Sequence, residues 1–273
     1  MPELPEVETV RRDLAASVVG ALVASVSVTG LRSTRRHPDP SAFVDGLTGQ
    51  ALVGFRRWGK YLIVELAPGP SVLVAHLRMS GQLRLAASRD VPLAPHSHVV
   101  LTFVDGRQLR FVDPRTFGEL FVTSPSLPEL AGLGPDALDV DIDCFAARLT
   151  ARRTRLKALL LDQRFVAGIG NIYSDEILWT SRLRWSRPAN QLRPVEVRRL
   201  HAAMVSVLGE AVSLRGSSLG DKQYVDLAGR GGGFQERHAV YGHLGDPCPR
   251  CGHRIERTVV AQRSHFWCRG CQK

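Results

Sequence analysis

The 273-residue chain has no long apolar run. Its longest stretches, such as Tyr61–Val64 and Val72–Ala75, fall far short of the ~20 residues a membrane-spanning helix needs. A basic, apolar leader is also missing. The opening MPELPEVETV carries Glu3, Glu6 and Glu8 instead, so no secretory signal is expected and a reducing cytoplasm is the expected setting. Cysteine is scarce, with five residues, and in that setting cysteines bind metal or react more often than they pair. There is no internal repeat, and no glycine-rich phosphate loop follows a strand, which argues against a nucleotide cofactor. The rest is ordinary: 44% hydrophobic and 23% charged, enough chain for one large domain or two smaller ones.

Charge is unevenly spread. Residues 1–150 hold 15 basic and 16 acidic side chains, whereas 151–273 hold 21 and 10, so the whole net +10 arises in the second half. A surplus placed this way points to a polyanionic partner. A merely solvated basic surface stays open. A membrane surface is disfavoured, because the arginines accompany no long amphipathic apolar face.

Periodicity divides the chain further. From Pro5, the spacing of Val7, Val10, Leu14 and Val18 predicts a helix. A period of two follows from Val23, with strands predicted at 50–56, 60–66, 71–77, 82–85, 98–104, 107–112 and 118–123. One helix and then seven or eight short strands suggest a β-sandwich or barrel. Prolines and glycines at 124–142 suggest an interdomain linker, after which helices are predicted at 143–151, 154–163, 171–180 and 194–213. The six glycines of 214–235 suggest a loop that packs against no core.

Cys248-x-x-Cys251 and Cys268-x-x-Cys271, with 16 residues between, have the spacing of a four-cysteine zinc ribbon. Four thiolates close the tetrahedron, so one structural zinc is expected, holding a unit too small to fold alone. Between the pairs a hairpin is predicted, with Arg263 near its tip. Cys144 stands alone and reads as a packing residue. At the other end, removal of Met1 would free the secondary amine of Pro2, with Glu3 and Glu6 beside it for proton transfer. Many chains begin with Met-Pro, so these residues by themselves leave an ordinary terminus open.

Taken together, these motifs resemble bacterial formamidopyrimidine-DNA glycosylases. The resemblance rests on MPELPEVET, Gly59-Lys60-Tyr61-Leu62, His76-Leu-Arg-Met79-Ser-Gly81, Asp113-Pro-Arg115-Thr-Phe117-Gly118, the segment from Leu161 through Asn171 to Leu178, His238-Ala-Val-Tyr-Gly242 and the terminal ribbon. They run through the whole chain in the family's order. The resemblance implies an α+β fold: a helix-led β-sandwich (1–123), the linker (124–142), a helical domain with a helix–two-turns–helix motif and a mobile lesion-recognition loop (143–235), and the zinc ribbon (236–273). It implies a bifunctional glycosylase/lyase in the bacterial cytoplasm, with the nucleoid; nothing in the sequence points to an obligate oligomer, so a monomer is expected. Its partner is double-stranded DNA carrying oxidised purines or abasic sites.

By that resemblance Pro2 is the nucleophile, Glu3 the acid, and Glu6 a positioning group. Lys60 serves β-elimination and Arg263 δ-elimination, and both also suit phosphate clamping. His96, Arg115, Arg152, Lys157 and Asn171 match DNA contacts, and Met79, Arg115 and Phe117 fill the void left by a flipped base. Glu176 is expected to be a buried structural partner. Arg78 stands where the family usually has glycine, and is expected to reach a phosphate or alter the wedge at Met79. Two alternatives remain: an endonuclease VIII-like enzyme for oxidised pyrimidines, and a zinc-ribbon DNA-binding protein without catalysis. Leu4, where that branch usually has glycine, disfavours the first. The second leaves Pro2, Glu3 and Lys60 unexplained.

Overall fold

A computed structural model describes residues 2–220 and 223–273. The chain forms two compact units: Met1–Ala131 with Leu214–Gly233, and Gly132–Ser213 with Phe234–Lys273.

The first unit begins with helix α1 (Leu4–Val18), with proline in its first turn. Its Val7, Val10, Leu14 and Val18 are buried along one stripe, as the spacing predicts. Eight strands then form two four-stranded antiparallel sheets. One runs β1 (Val23–Val28), β6 (Ser97–Phe103), β7 (Gln108–Val112), β5 (Gln82–Ala86). The other runs β2 (Ala51–Trp58), β3 (Tyr61–Ala67), β4 (Val72–His76), β8 (Glu119–Thr123). Leu62, Val64, Leu73 and Ala75 of the second sheet share one core with Val99, Leu101, Leu109 and Phe111 of the first, and α1 joins that core. The sandwich follows from alternation, since each strand turns one set of side chains inward. A short helix, α2 (Pro40–Asp45), and a 3-10 turn (Leu31–Thr34) were not expected. The Asp39 carboxylate caps α2 by accepting the Ser41 N–H at 2.8 Å, a signal that lay in the sequence.

Two expected boundaries differ. The segment 124–142 is no free linker. Its 3-10 turn Pro128–Leu130 belongs to the first unit. In the second unit, Gly134 N–H donates to Gln163 O at 2.9 Å and Ala137 N–H to Ala167 O at 3.0 Å, so the backbone polar groups find partners at once. Residues 214–233 group with the sandwich rather than with the helical domain, and they do meet a core. Tyr224 and Leu227 are buried in it. Leu85 N–H donates to Leu227 O at 3.1 Å and the Gln82 amide to Gln223 O at 3.2 Å, covering the open edge of β5. Two apolar anchors among the glycines suffice for this. Asp221 and Lys222, in the expected lesion-recognition loop, lie outside the described residues.

The second unit contains α3 (Ile142–Thr150), α4 (Leu156–Leu161), α5 (Asn171–Thr180), α6 (Pro194–Ser213) and the hairpin β9 (Ile255–Val260)–β10 (Arg263–Cys268). Helix α4 is shorter than expected, because Arg155 is extended and bridges to Pro188. Cys144 is exposed in the first turn of α3 and so packs no core. No helix of the described residues is long and apolar enough to cross a membrane.

Leu14 has no exposed surface and lies within the shared core of the sandwich. Leu14→Ala is expected to cost about 2–5 kcal/mol, read as a lower urea midpoint with an unchanged slope.

Candidate functional site

Pro2 and Glu3 are buried at the start of α1. Glu3 is the N-cap, and the Glu6 carboxylate accepts its backbone N–H at 2.7 Å. The other Glu6 oxygen accepts the Ser217 N–H, also at 2.7 Å. Glu6 therefore ties the start of α1 to the 214–233 segment. Gly216 makes this approach possible: its φ is +78°, and a Cβ there would lie 2.6 Å from the same Glu6 oxygen.

Lys60 occupies the two-residue turn between β2 and β3, where Gly59 takes a φ of +59°. It is 7% exposed. The turn is held to α1 through Arg57, whose guanidinium donates to Gly59 O at 3.1 Å and to Glu8 at 3.2 Å. Burial alone would push the Glu8 carboxyl up. Hydrogen bonds from Arg11 and Arg12, with the charges of Arg11 and Arg57, outweigh it and bring the group to about 2. Glu8 was not singled out from sequence, although its i,i+3 and i,i+4 arginines were visible there.

The expected void-filling residues sit on two loops joined by one carboxylate. Asp113 is fully buried and accepts from Ser80 Oγ at 2.5 Å, Gly118 N at 2.7 Å and Arg115 N at 3.2 Å. Ser80 follows Met79, so the loop bearing Met79 is pinned to the loop bearing Arg115 and Phe117. Met79 is half-buried, Arg115 is exposed, and Phe117 is 38% exposed with the Arg115 guanidinium 5.0 Å from its ring centre. His96 is exposed, and its carbonyl accepts the Asp113 N–H at 3.0 Å.

Arg78 takes a φ of +52°, a region that favours glycine. Its guanidinium pairs with Glu119 at 2.8 Å. The expectation that Arg78 adds a phosphate contact or alters the wedge left out this partner: an intramolecular carboxylate holds one end of a side chain that stays 42% exposed. Glu119 also receives Arg35 and Arg36, each at 3.0 Å. Burial raises its carboxyl, but hydrogen bonds from Arg36 and Arg78 and the charges of Arg36 and Arg35 prevail and bring it to about 2. Next to it, His76 Nδ1 accepts the Arg78 N–H at 2.9 Å. Burial, followed by the charges of Arg78 and Lys60, lowers that imidazole to about 3, so it is neutral at pH 7.

In the second unit Lys157 departs from expectation. It is fully buried, and its ammonium donates to Ser174 Oγ at 2.7 Å, Asn171 O at 3.0 Å and Asp175 at 2.5 Å. A side chain enclosed in this way is a structural cation and offers no surface to a phosphate. Asp175 also accepts the Phe266 N–H at 2.8 Å and lies 2.5 Å from His265 Nδ1, which fixes β10 to α5. This hub was missed, because nothing in the spacing of 157, 175 and 265 marks it. The Asn171 amide donates to Ser264 O at 2.9 Å, and Gly170, not Asn171, is the N-cap of α5. Arg152 is exposed. Arg263 is exposed beside the turn Ala261-Gln262, both at positive φ as a tight hairpin turn requires. Glu176 is buried and accepts the N–H groups of Ala239, Val240 and Tyr241 at 2.8–3.0 Å.

The sulfurs of Cys248, Cys251, Cys268 and Cys271 all lie within 4.8 Å of one another, with the shorter separations at 3.1–3.6 Å. A tetrahedral zinc with Zn–S near 2.3 Å wants about 3.8 Å between sulfurs. The Trp179 indole N–H donates to Cys248 Sγ at 3.4 Å. The donor set fits one structural zinc ion.

Family models match in three stretches: the formamidopyrimidine-DNA glycosylase N-terminal domain over residues 1–120, its H2TH domain over 132–223, and a zinc finger found in FPG and IleRS over 245–273. The formamidopyrimidine-DNA glycosylase of Geobacillus kaustophilus is 43% identical over the full length of both chains. The chain belongs to the formamidopyrimidine-DNA glycosylase family. Its fold is that of the Lactococcus lactis family member solved with DNA containing an abasic site (TM-score 0.91, 36% identity, 99% of each chain). A variant of the L. lactis protein solved with Fapy-dG-containing DNA is equally close (0.91, 37%, 100% of each). A formamidopyrimidine-DNA glycosylase is an enzyme of DNA repair, and along this chain the N-terminal domain, the H2TH domain and the zinc finger follow one another.

Two outcomes follow from this geometry. Glu119 contributes stability in full above about pH 4.5, its free value, and that stability is lost as pH falls toward 2. The neutral His76 adds acid sensitivity from 6.5 down to about 3, since the unfolded chain binds the proton first. Glu119→Gln is expected to lower stability at pH 7 and to flatten the acid limb between 4.5 and 2 in urea titrations at stepped pH. Chelation, or Cys268→Ser, is expected to unfold residues 245–273 while α1 and the two sheets stay protected from amide exchange. Metal analysis should give one zinc per untreated chain.

Proposed function

We propose that this glycosylase also cleaves the strand as an abasic-site lyase, acts on oxidised purines in duplex DNA, and uses Pro2 as its nucleophile. The observation that carries the reading is the joint arrangement at α1. Pro2 and Glu3 are buried at its positive end, and the Lys60 turn is tethered to the same helix by Arg57 and Glu8. Burial and a helix N-terminus both favour the neutral form of an amine, the form that attacks.

In this reading the Pro2 nitrogen bonds to C1′ as the bond from C1′ to the damaged base breaks. Glu3 gives a proton to the ring oxygen, which opens the sugar. The secondary amine becomes an iminium that is cationic without a further proton and withdraws electrons from C2′. Loss of the C2′ proton then expels the 3′ phosphate. Lys60 and Arg263 bind phosphate near the departing oxygens, with Lys60 assisting β-elimination and Arg263 δ-elimination. Met79, Arg115 and Phe117 fill the space left by the flipped base, and His96, Arg152 and Asn171 contact the backbone. The four-cysteine zinc, when bound, supplies no chemistry and only rigidifies the hairpin that bears Arg263. The L. lactis complexes with abasic-site and Fapy-dG DNA support this substrate class.

The test is borohydride trapping on a duplex with one 8-oxoguanine opposite cytosine, followed by peptide mass analysis. An adduct on the N-terminal peptide at Pro2 is expected, and Pro2→Gly should reduce it by orders of magnitude. Adducts only on an oxidised pyrimidine would overturn the purine assignment. No adduct on either, with a verified free Pro2 amine, would overturn the lyase.

A further inference from the structure

Beside the loop 113–118 lies a group of arginines of which the proposed chemistry uses only Arg115. Arg32 and Arg115 approach the exposed Phe117 ring, at 6.0 and 5.0 Å from its centre. Neither guanidinium makes a hydrogen bond or ion pair to the described residues. Arg35, Arg36 and Arg78 share the one carboxylate of Glu119. Arg35 also donates to the carbonyls of Phe117 at 3.2 Å and Gly118 at 2.9 Å, which fixes it against the same loop. Other acids on these segments have hydrogen-bond partners of their own: Asp39 holds Ser41, Glu129 holds Thr123, and Asp113 holds Ser80 and two backbone N–H groups.

Three guanidiniums thus share the Glu119 carboxylate and two more lie against the exposed Phe117 ring, so five positive charges stand against the two carboxylates of Glu119 and Asp113, a local excess of three. Three of them are held in place by Glu119, so little side-chain freedom is lost when a ligand arrives. Planar guanidinium forks match phosphate oxygens, and unpaired cations beside an aromatic wedge suit a stacked, polyanionic ligand. We propose that Arg32, Arg35, Arg36 and Arg78, with Arg115, form a phosphate-binding patch that grips the duplex backbone beside the Phe117 wedge, independently of base sequence. This rests on the reading of the chain as a DNA-binding enzyme. It makes Arg32 and Arg78 determinants of duplex affinity that act apart from the reacting nucleotide.

The test measures binding of the full-length, zinc-loaded protein to an undamaged duplex across a sodium chloride series. Each phosphate contact contributes about 0.9 to the slope of log K against log salt. Arg32→Gln and Arg78→Gly should each lower the slope by about one contact, the pair by about two, with several-fold weaker binding at fixed salt. Arg89→Gln, the same charge change on another exposed loop, should leave the slope unaltered. Arg32 has no bonded partner to lose, so its variant should fold, and thermal unfolding checks this. Unchanged slopes in both variants would overturn the patch. So would weaker binding at an unchanged slope, which would mean a displaced Phe117 loop rather than a lost phosphate. Pro2 trapping is run in parallel. Normal trapping with unchanged slopes sinks the patch alone, whereas altered slopes without any trapping sink the lyase reading and leave the patch standing.

Discussion

Taking a carboxylate out of water costs several kcal/mol unless donors replace the lost hydration. In this chain that constraint decides where the loops go. Glu6 and Glu8 sit on α1, Asp113 and Glu119 flank the Phe117 loop, and Asp175 and Glu176 sit on α5, all buried. Each satisfies its oxygens with groups far away in sequence. Glu6 reaches Ser217, Glu8 reaches Arg57, Asp113 reaches Ser80, Glu119 reaches Arg35, and Asp175 reaches Phe266. Removing one donor leaves a buried charge, so these ties hold more firmly than loop length suggests.

The consequence for function is that the candidate residues are placed by joints they do not themselves form. Lys60 rides on a turn whose carbonyl is held by Arg57. Met79 and Phe117 stand on different loops that meet at Asp113. Arg263 projects from a hairpin stapled by four cysteines at one end and by Asp175 along its strand. The exposed Phe117 and Arg263 are thus short extensions of buried anchors.

Local strain gathers at the same places. Of eight non-glycine residues at positive φ among the described residues, Arg78, His96, Thr116, Ala261 and Gln262 lie here, and Leu127, Arg182 and Arg215 lie elsewhere. Arg78, Thr116 and Gln262 adjoin Met79, Phe117 and Arg263, Ala261 shares the hairpin turn with Gln262, and the fifth is His96 itself. Such conformations cost of order 1–3 kcal/mol each and persist only where the surroundings impose them. The buried carboxylates and the hairpin register supply that imposition.

Much was legible in the sequence because it depends on short-range rules. Period 3.6 marked α1, α3, α5 and α6, period two marked the eight strands, and the paired C-x-x-C spacing marked the zinc ribbon. The motifs around Pro2, Lys60 and Asn171 marked the family. What stayed hidden depends on which distant groups meet. Lys157 looks like any surface lysine until Asp175 and Ser174 enclose it. The 214–233 segment looks coreless until Tyr224 and Leu227 find the edge of β5. Arg78 looks like a free cation until Glu119 takes it. Hydrophobic period and ligand spacing are written within a few residues of chain, so the sequence by itself determined all the strands and the longer helices, their order and the metal ligands. Charge pairing in a dry interior is settled only when segments dozens of residues apart come together, so only the tertiary structure decided which cations face solvent and which are held inside.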